Sequence, residues 1–269
     1  MVDAVARLRP DLLELAAEAV GEDPFPRVGD GTRFDQPALY CAALAGLERA
    51  GRPAADLYAG HSLGEITALA AAGAVSDEDG LRLVAERGRL MEVTAAETGG
   101  AMLAVRAGRE EAEPIAERHG LTLANDNSPA QVVLSGPQAA IEAAEAEAAE
   151  AGMRVKRLPI TGAFHSPLMA DAVEPFLSFL QDVELREPRA PVYSCVTAAP
   201  FDDVPKRLSE ALVNPVRWVE VLHALHSAGG RRFEETGPGK VLTGLVRRTL
   251  DGVEAGPAEP AEPAEAAGG

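Results

Sequence analysis

Cysteine, tryptophan, basic charge and long apolar runs are all scarce in this sequence. Among 269 residues there are two cysteines and one tryptophan, and aromatics make up 4%. Cys41 and Cys195 are too few for a disulfide framework and lack metal-ligand spacing, which fits a reducing compartment. Both are expected to be small buried residues. No stretch approaches the roughly 20 apolar residues of a membrane-spanning helix, and the opening residues lack the basic-then-apolar pattern of a signal peptide. A cytoplasmic setting is therefore expected. Lys and Arg number 25 against 42 Asp and Glu, a formal net charge of -17. Such a chain has no general basic face for nucleic acid or an anionic membrane, so neither is an expected partner. Any anionic partner must meet a local basic patch.

Hydrophobic residues make up 46% of the chain, enough to bury the core of one large domain, or of one domain with a smaller insert. Val5, Leu8, Leu12, Leu15 and Ala19 recur at spacings of three and four, predicting an amphipathic helix over 2–20 that stops at Gly21. A loop over 21–36 precedes a helix over about 37–50, and residues 57–59 suit a buried strand. A helix over 65–72 stops at Gly73, and Ser76 with Asp79 resembles a capping box opening a longer helix to about residue 96. From Gly99 the pattern becomes strand 102–105, helix 109–119, strands 121–125 and 131–134, helix 137–151 and strand 154–158. That β-α-β-β-α-β order predicts a ferredoxin-like subdomain over 98–161. Beyond it, helices over about 168–180, 216–228 and 241–250 and strands over 191–196 and 232–235 resume an α/β pattern. The main domain is thus discontinuous, 1–97 and 162–250. Residues 251–269, rich in Pro, Ala, Glu and Gly, have no aromatic or large aliphatic residue after Val253 and are expected to form a disordered tail.

Three residues suggest chemistry. Ser62 sits in Gly60-His61-Ser62-Leu63-Gly64 between a predicted strand and a helix, where flanking glycines relieve crowding and let a serine hydroxyl project from a sharp turn. The Leu63 N–H, near the start of the helix, then faces the space where an oxyanion forms. The same pentapeptide also suits a glycine-rich turn with an idle serine. A serine nucleophile needs a base, and of five histidines His165 lies in a loop where the chain returns to the main domain. His119, His223 and His226 belong to helices, and His61 adjoins Ser62 on a turn that directs the two side chains apart. His165 is either the base or a buried, hydrogen-bonded imidazole. Arg87 falls on the apolar stripe of its helix, three after Val84 and four before Met91. An inward guanidinium needs an anion, either an internal carboxylate or the free carboxylate of a ligand such as a dicarboxylic half-thioester.

Six segments in register resemble malonyl-CoA:acyl carrier protein transacylases over about residues 1–250. They are Gly60 to Glu65, Glu86-Arg87-Gly88, Asn127 to Val133, Gly162 to Met169, Asn214 to Trp218, and Gly237 to Leu242. The resemblance implies an α/β-hydrolase-like core with a parallel sheet and the inserted ferredoxin-like subdomain. It makes Ser62 the nucleophile, His165 its base and later acid, Arg87 the clamp for the malonyl carboxylate and the Leu63 N–H an oxyanion donor. It also implies that a backbone carbonyl shortly before Asn214 orients His165. Leu63 and Phe164 fit a preference for malonyl over methylmalonyl. The implied cycle is ping-pong, with malonyl-CoA and the phosphopantetheine of an acyl carrier protein as substrates, no metal or redox cofactor, and fatty acid or polyketide synthesis as its use. Lys156, Arg157, Arg217, Arg247 and Arg248 either offer an acidic carrier protein a basic edge or form ordinary solvated surface.

The chain departs from the family in two ways. It contains neither the opening strand nor the Gly-Gln-Gly-Ser-Gln loop whose first glutamine supplies a second oxyanion donor, and Cys195 and Ala211 stand where asparagine and glutamine are common. A serine esterase or thioesterase that gives the acyl group to water, and a truncated acyltransferase that only binds carrier protein, are the competing expectations.

Overall fold

A computed structural model describes residues 1–261. Pro10 divides the first apolar stripe, so α1 (Val2–Leu8) and α2 (Pro10–Val20) replace the single helix expected, with Arg9 extended between them at φ -144°. Proline lacks the N–H that would continue the ladder and clashes with the carbonyl one turn back. α3 (Thr32–Arg49) begins before the expected start and contains Pro37; the proline costs it one main-chain bond without ending it. β1 (Tyr58–Ala59) leads through a tight turn into α4 (Gly64–Ala71). Ser76 caps α5 (Asp77–Thr98), its Oγ accepting the Asp79 N–H at 3.0 Å, as its spacing suggests.

The middle of the chain forms β2 (Ala101–Arg106), α6 (Arg109–Arg118), β3 (Thr122–Ser128), β4 (Gln131–Gly136), α7 (Gln138–Glu150) and β5 (Arg154–Arg157). The sheet order is β3-β4-β2-β5 with every pair antiparallel, the ferredoxin-like arrangement. Ile141, Ala144 and Ala148, spaced by three and four on α7, join Leu103 and Leu134 in one buried cluster. Two main-chain bonds stitch this sheet to the main domain: Asp126 N–H to Val216 O at 2.9 Å and Val216 N–H to Ala124 O at 2.8 Å.

A 3₁₀ turn over Pro167–Ala172 opens the return, followed by α8 (Val173–Gln181) and β6 (Val192–Tyr193). α9 (Val204–Glu210), α10 (Trp218–Ser227), β7 (Arg232–Glu235), α11 (Val241–Thr249) and β8 (Glu254–Pro257) complete the described chain. β6 is shorter than the strand expected over 191–196, because the Ala198 N–H turns back onto Ser194 O at 2.9 Å. α9 has no counterpart among the expected elements; Asp203 Oδ1 caps it by accepting the Lys206 N–H at 3.1 Å. Parallel pairing joins β1 with β6 and β7 with β8, and an isolated parallel bridge joins Asn125 of β3 with Val216.

The expectation of a disordered tail from 251 fails at β8. Residues 254–257 pair in parallel with 232–235, and Ala258 is buried. Such a strand is stabilised by main-chain bonds to an existing edge and needs no apolar pattern of its own. Residues 262–269 of the expected tail lie outside the described residues. Among the described residues three apolar clusters hold the fold: one around Leu12, Leu44, Leu69 and Phe176, the subdomain cluster, and one around Trp218, Val221 and Leu245.

Candidate active site

Between β1 and α4 the chain reverses within four residues, and Ser62 takes φ 53°. A non-glycine residue there costs about 1–3 kcal/mol and persists only where its surroundings demand it. At Gly60 an added Cβ would come within 1.8 Å of Gly64 O, so that glycine permits the turn. At Gly64 an added Cβ would meet nothing within 4 Å. Relief of crowding therefore comes from one flanking glycine, not both. Behind the turn, the Cys195 thiol donates to Gly60 O at 3.2 Å and the Cys195 N–H to Glu65 Oε1 at 2.7 Å. The Leu63 N–H has no acceptor among the described residues.

His165 also has a positive φ, 57°, and is buried at 4% exposure. Its Nε2 lies 2.8 Å from Ser62 Oγ and its Nδ1 2.7 Å from Ala211 O. A carbonyl oxygen can only accept, so Nδ1 carries the proton and Nε2 is free to accept the serine hydroxyl. Ala211 follows α9, where the last carbonyls have no partner inside the helix. The side chain at 211 is immaterial to this contact, which is why alanine serves where glutamine is common. Burial, followed by the charge of Arg87, pushes His165 down to about 3, so the ring is neutral at physiological pH.

Arg87 is 3% exposed. Its Nη2 donates to Ser62 Oγ at 3.1 Å and its Nη1 to Gln36 Oε1 at 2.7 Å. The internal carboxylate that would have made it merely structural is absent from these contacts: both acceptors are neutral. Glu65, 1% exposed, supplies a nearby carboxyl whose Oε1 is taken by Cys195 N–H. Burial raises Glu65 to about 7 and lowers Arg87 to about 10, leaving the guanidinium charged at neutral pH. Gln36 is the member of this cluster that no motif in the sequence singles out; Glu65 closes the Gly60 to Glu65 segment, which assigned it no role. Gln36 falls in the loop expected over 21–36 because Pro37 suggests a helix start; its spacing of four from Tyr40, a buried helical position, is the signal that could have placed it.

The structure thus brings Ser62, His165 and Arg87 together from three separate segments. Leu63 follows the serine on the turn, and Phe164 packs in the main core beside His165. His61 points away from Ser62, its Nε2 2.8 Å from Asn127 Oδ1 and its ring edge-on to Trp218 at 5.5 Å. His119 pairs with Glu147 at 2.7 Å. The expected basic edge is only partly available, since Arg157 pairs with Glu142 and Glu145 and Arg217 with Glu220. Arg248 instead joins Arg106 and Arg154 around a cleft of about 520 Å³ beside the β3–β4 turn. Among the described residues, no group of three or more His, Cys, Asp or Glu is disposed to hold a metal, and no helix is long and apolar enough to cross a membrane.

A serine between a neutral imidazole and a buried guanidinium that touches no carboxylate has the parts for attack on a carboxylate-bearing thioester. Residues 17–268 match the model of the acyl transferase domain. The chain belongs to that family. Its sequence is 38% identical to a polyketide biosynthesis malonyl CoA-acyl carrier protein transacylase, BaeC of Bacillus velezensis, over 92% of this chain and 91% of that protein. It is 42% identical to the polyketide biosynthesis protein ThaF of Burkholderia thailandensis over 90% of this chain, but spans only 22% of that longer protein. Other longer relatives are spanned as partially, 30% for PksE of Bacillus subtilis. Among solved structures, the malonyl-CoA:acyl carrier protein transacylase of Xanthomonas oryzae superposes with a TM-score of 0.86 at 36% identity, covering 95% of this chain and 88% of that one. The chain therefore has the α/β-hydrolase-like core and ferredoxin-like subdomain expected of it.

Proposed function

We propose that this acyltransferase moves a malonyl group from malonyl-CoA to the phosphopantetheine thiol of an acyl carrier protein, through an acyl-serine on Ser62. The observation that carries the reading is the position of Ser62 Oγ, 2.8 Å from the accepting nitrogen of His165 and 3.1 Å from Arg87. In the first half-reaction Ser62 Oγ attacks the thioester carbonyl as its proton passes to His165 Nε2. The Nδ1–H bond to Ala211 O steadies the imidazolium that results, and the Leu63 N–H faces the oxyanion. When the C–S bond breaks, Nε2 returns the proton to the departing coenzyme A sulfur. In the second half, His165 takes the proton of the carrier thiol, the thiolate attacks the malonyl-serine, and the proton returns to Ser62. Arg87 exchanges its bond to Ser62 for the malonyl carboxylate, which binds a guanidinium bidentately. Leu63 and Phe164 bound the acyl group and favour malonyl.

The acidic carrier protein docks where basic charge is unspent, with Arg106, Arg154 and Arg248 around one cleft. No metal or redox cofactor enters any step. The two free, buried cysteines fit work in the cytoplasm. Incubation with labelled malonyl-CoA, intact-mass analysis and addition of a carrier protein test the reading. Label on Ser62 that passes to the carrier thiol is the expected result. Label that passes to water at the same rate with and without carrier would make the protein a thioesterase, and absence of label would end the proposal.

A further inference from the structure

Buried arginines ordinarily face carboxylates, because a desolvated charge without a counter-charge is costly. Arg87 makes no such contact: among the described residues its hydrogen-bond partners are an amide oxygen and a serine hydroxyl, and the Glu65 carboxyl acts on it only through space. We propose that Gln36 is a positioning residue that sets acyl selectivity by aiming the Arg87 guanidinium without placing a carboxylate in contact with it. The inference rests on the malonyl-transfer reading above and adds the residue that makes the site selective.

The amide is fixed from two sides. Its Nε2 donates to Thr32 Oγ1 at 2.8 Å, one turn earlier on α3, and lies 3.3 Å from Met91 Sδ on α5. Its Oε1 is thereby turned to Arg87 Nη1. Both side chains are 3% exposed, so water does not compete. Their approach depends on Gly88, where an added Cβ would lie 2.7 Å from Thr32 O and 3.0 Å from Arg33 Cα. The glycine next to Arg87 lets the first turn of α3 press against α5 and delivers Gln36 to the guanidinium. One fork nitrogen is anchored, and the other faces Ser62, where the acyl group arrives. Glutamate at 36 would have almost the same shape but would cancel the charge before a substrate carboxylate reached it.

The test compares Ser62 acylation by malonyl-CoA and acetyl-CoA in the first half-reaction, read by mass as kcat/KM and half-saturating concentration. Gln36→Glu is expected to lower the malonyl-to-acetyl ratio of kcat/KM by about tenfold or more, chiefly through a higher malonyl KM, as removal of one charge-assisted hydrogen bond would. Gln36→Met, which removes the anchor and adds no charge, is expected to lower the ratio by about threefold or more. A ratio in Gln36→Glu equal to that of the unaltered chain overturns the proposal; should that variant fail to fold, an unchanged ratio in Gln36→Met does so. A ratio that Arg87→Ala shifts and Gln36→Glu does not would sink the role of Gln36 alone. A ratio unmoved by Arg87→Ala would sink the carboxylate clamp and Gln36 with it.

Discussion

In the ferredoxin-like subdomain charged side chains meet one another at the surface, whereas at the Ser62 junction they are buried and meet neutral groups. Arg118 and His119 pair with Glu147, and Arg157 with Glu142 and Glu145, all across the outside of one contiguous stretch of chain. Exposed pairs of this kind contribute little, because water screens them and holding two long side chains together costs entropy. The subdomain is held instead by its antiparallel ladder and by the cluster around Leu103, Leu134 and Ile141. At the junction, Gln36, Ser62, Arg87 and His165 come from α3, a turn, α5 and a loop. Two of them have positive φ and one is a desolvated cation. Such an arrangement is costly in isolation and persists because the surrounding clusters over-determine it. The subdomain is built from locally favourable contacts, whereas the junction depends on the clusters around it.

Substitution is the direct way to break that contrast. Ser62→Ala is expected to lower malonyl transfer by about 10⁴-fold or more and to abolish the acyl-enzyme mass, while the melting temperature holds or rises because the core packing is untouched. A labelled Ser62→Ala protein would refute the nucleophile. Leu103→Ala, fully buried in the subdomain, is expected to cost about 2–5 kcal/mol in denaturant unfolding. Acylation by the folded fraction should remain near that of the unaltered chain. A matching loss of rate would show that the subdomain shapes the site and not only the fold.

Arg87→Ala is expected to reduce malonyl loading by about 10- to 100-fold and acetyl loading far less, the span of a charge-assisted pair. The same variant sharpens the pH behaviour. Burial first, and Arg87 second, hold His165 at about 3, below the value near 6.5 of an unfolded chain. The unfolded state therefore binds a proton that the folded state refuses between these values. Stability from this group is present above about pH 6.5 and is lost as pH falls toward 3. Through that window the ring remains a proton acceptor, so the acid limb of Ser62 acylation should lie below pH 6.5. It should move upward in Arg87→Ala, as a pH–rate profile would reveal. The smallest effect is expected from Arg118→Ala, which breaks an exposed pair: the unfolding midpoint should not move measurably.

The same contrast explains what was legible. The subdomain is readable element by element because its side-chain periods are local and its β-α-β-β-α-β order admits few arrangements. Ser62 announces itself by flanking glycines, His165 by its loop and Arg87 by an apolar stripe. Gln36 does not, because its partner is 51 residues away and its own neighbourhood is dominated by Pro37. β8 escapes sequence reasoning because its stability is main-chain pairing to β7, which leaves no apolar pattern. Ala211 stands out for a side chain that is irrelevant, since the carbonyl makes the contact.

By itself the sequence determined which groups exist to react, the β-α-β-β-α-β subdomain and the order of the segments around it. Composition and short-range periodicity specify those things directly. Only the tertiary structure decided that Ser62, His165 and Arg87 meet at one point, that the carbonyl on His165 is that of Ala211, and that the arginine faces an amide. Contacts between distant segments are selected by burial and main-chain pairing across the fold, and leave no period in the chain.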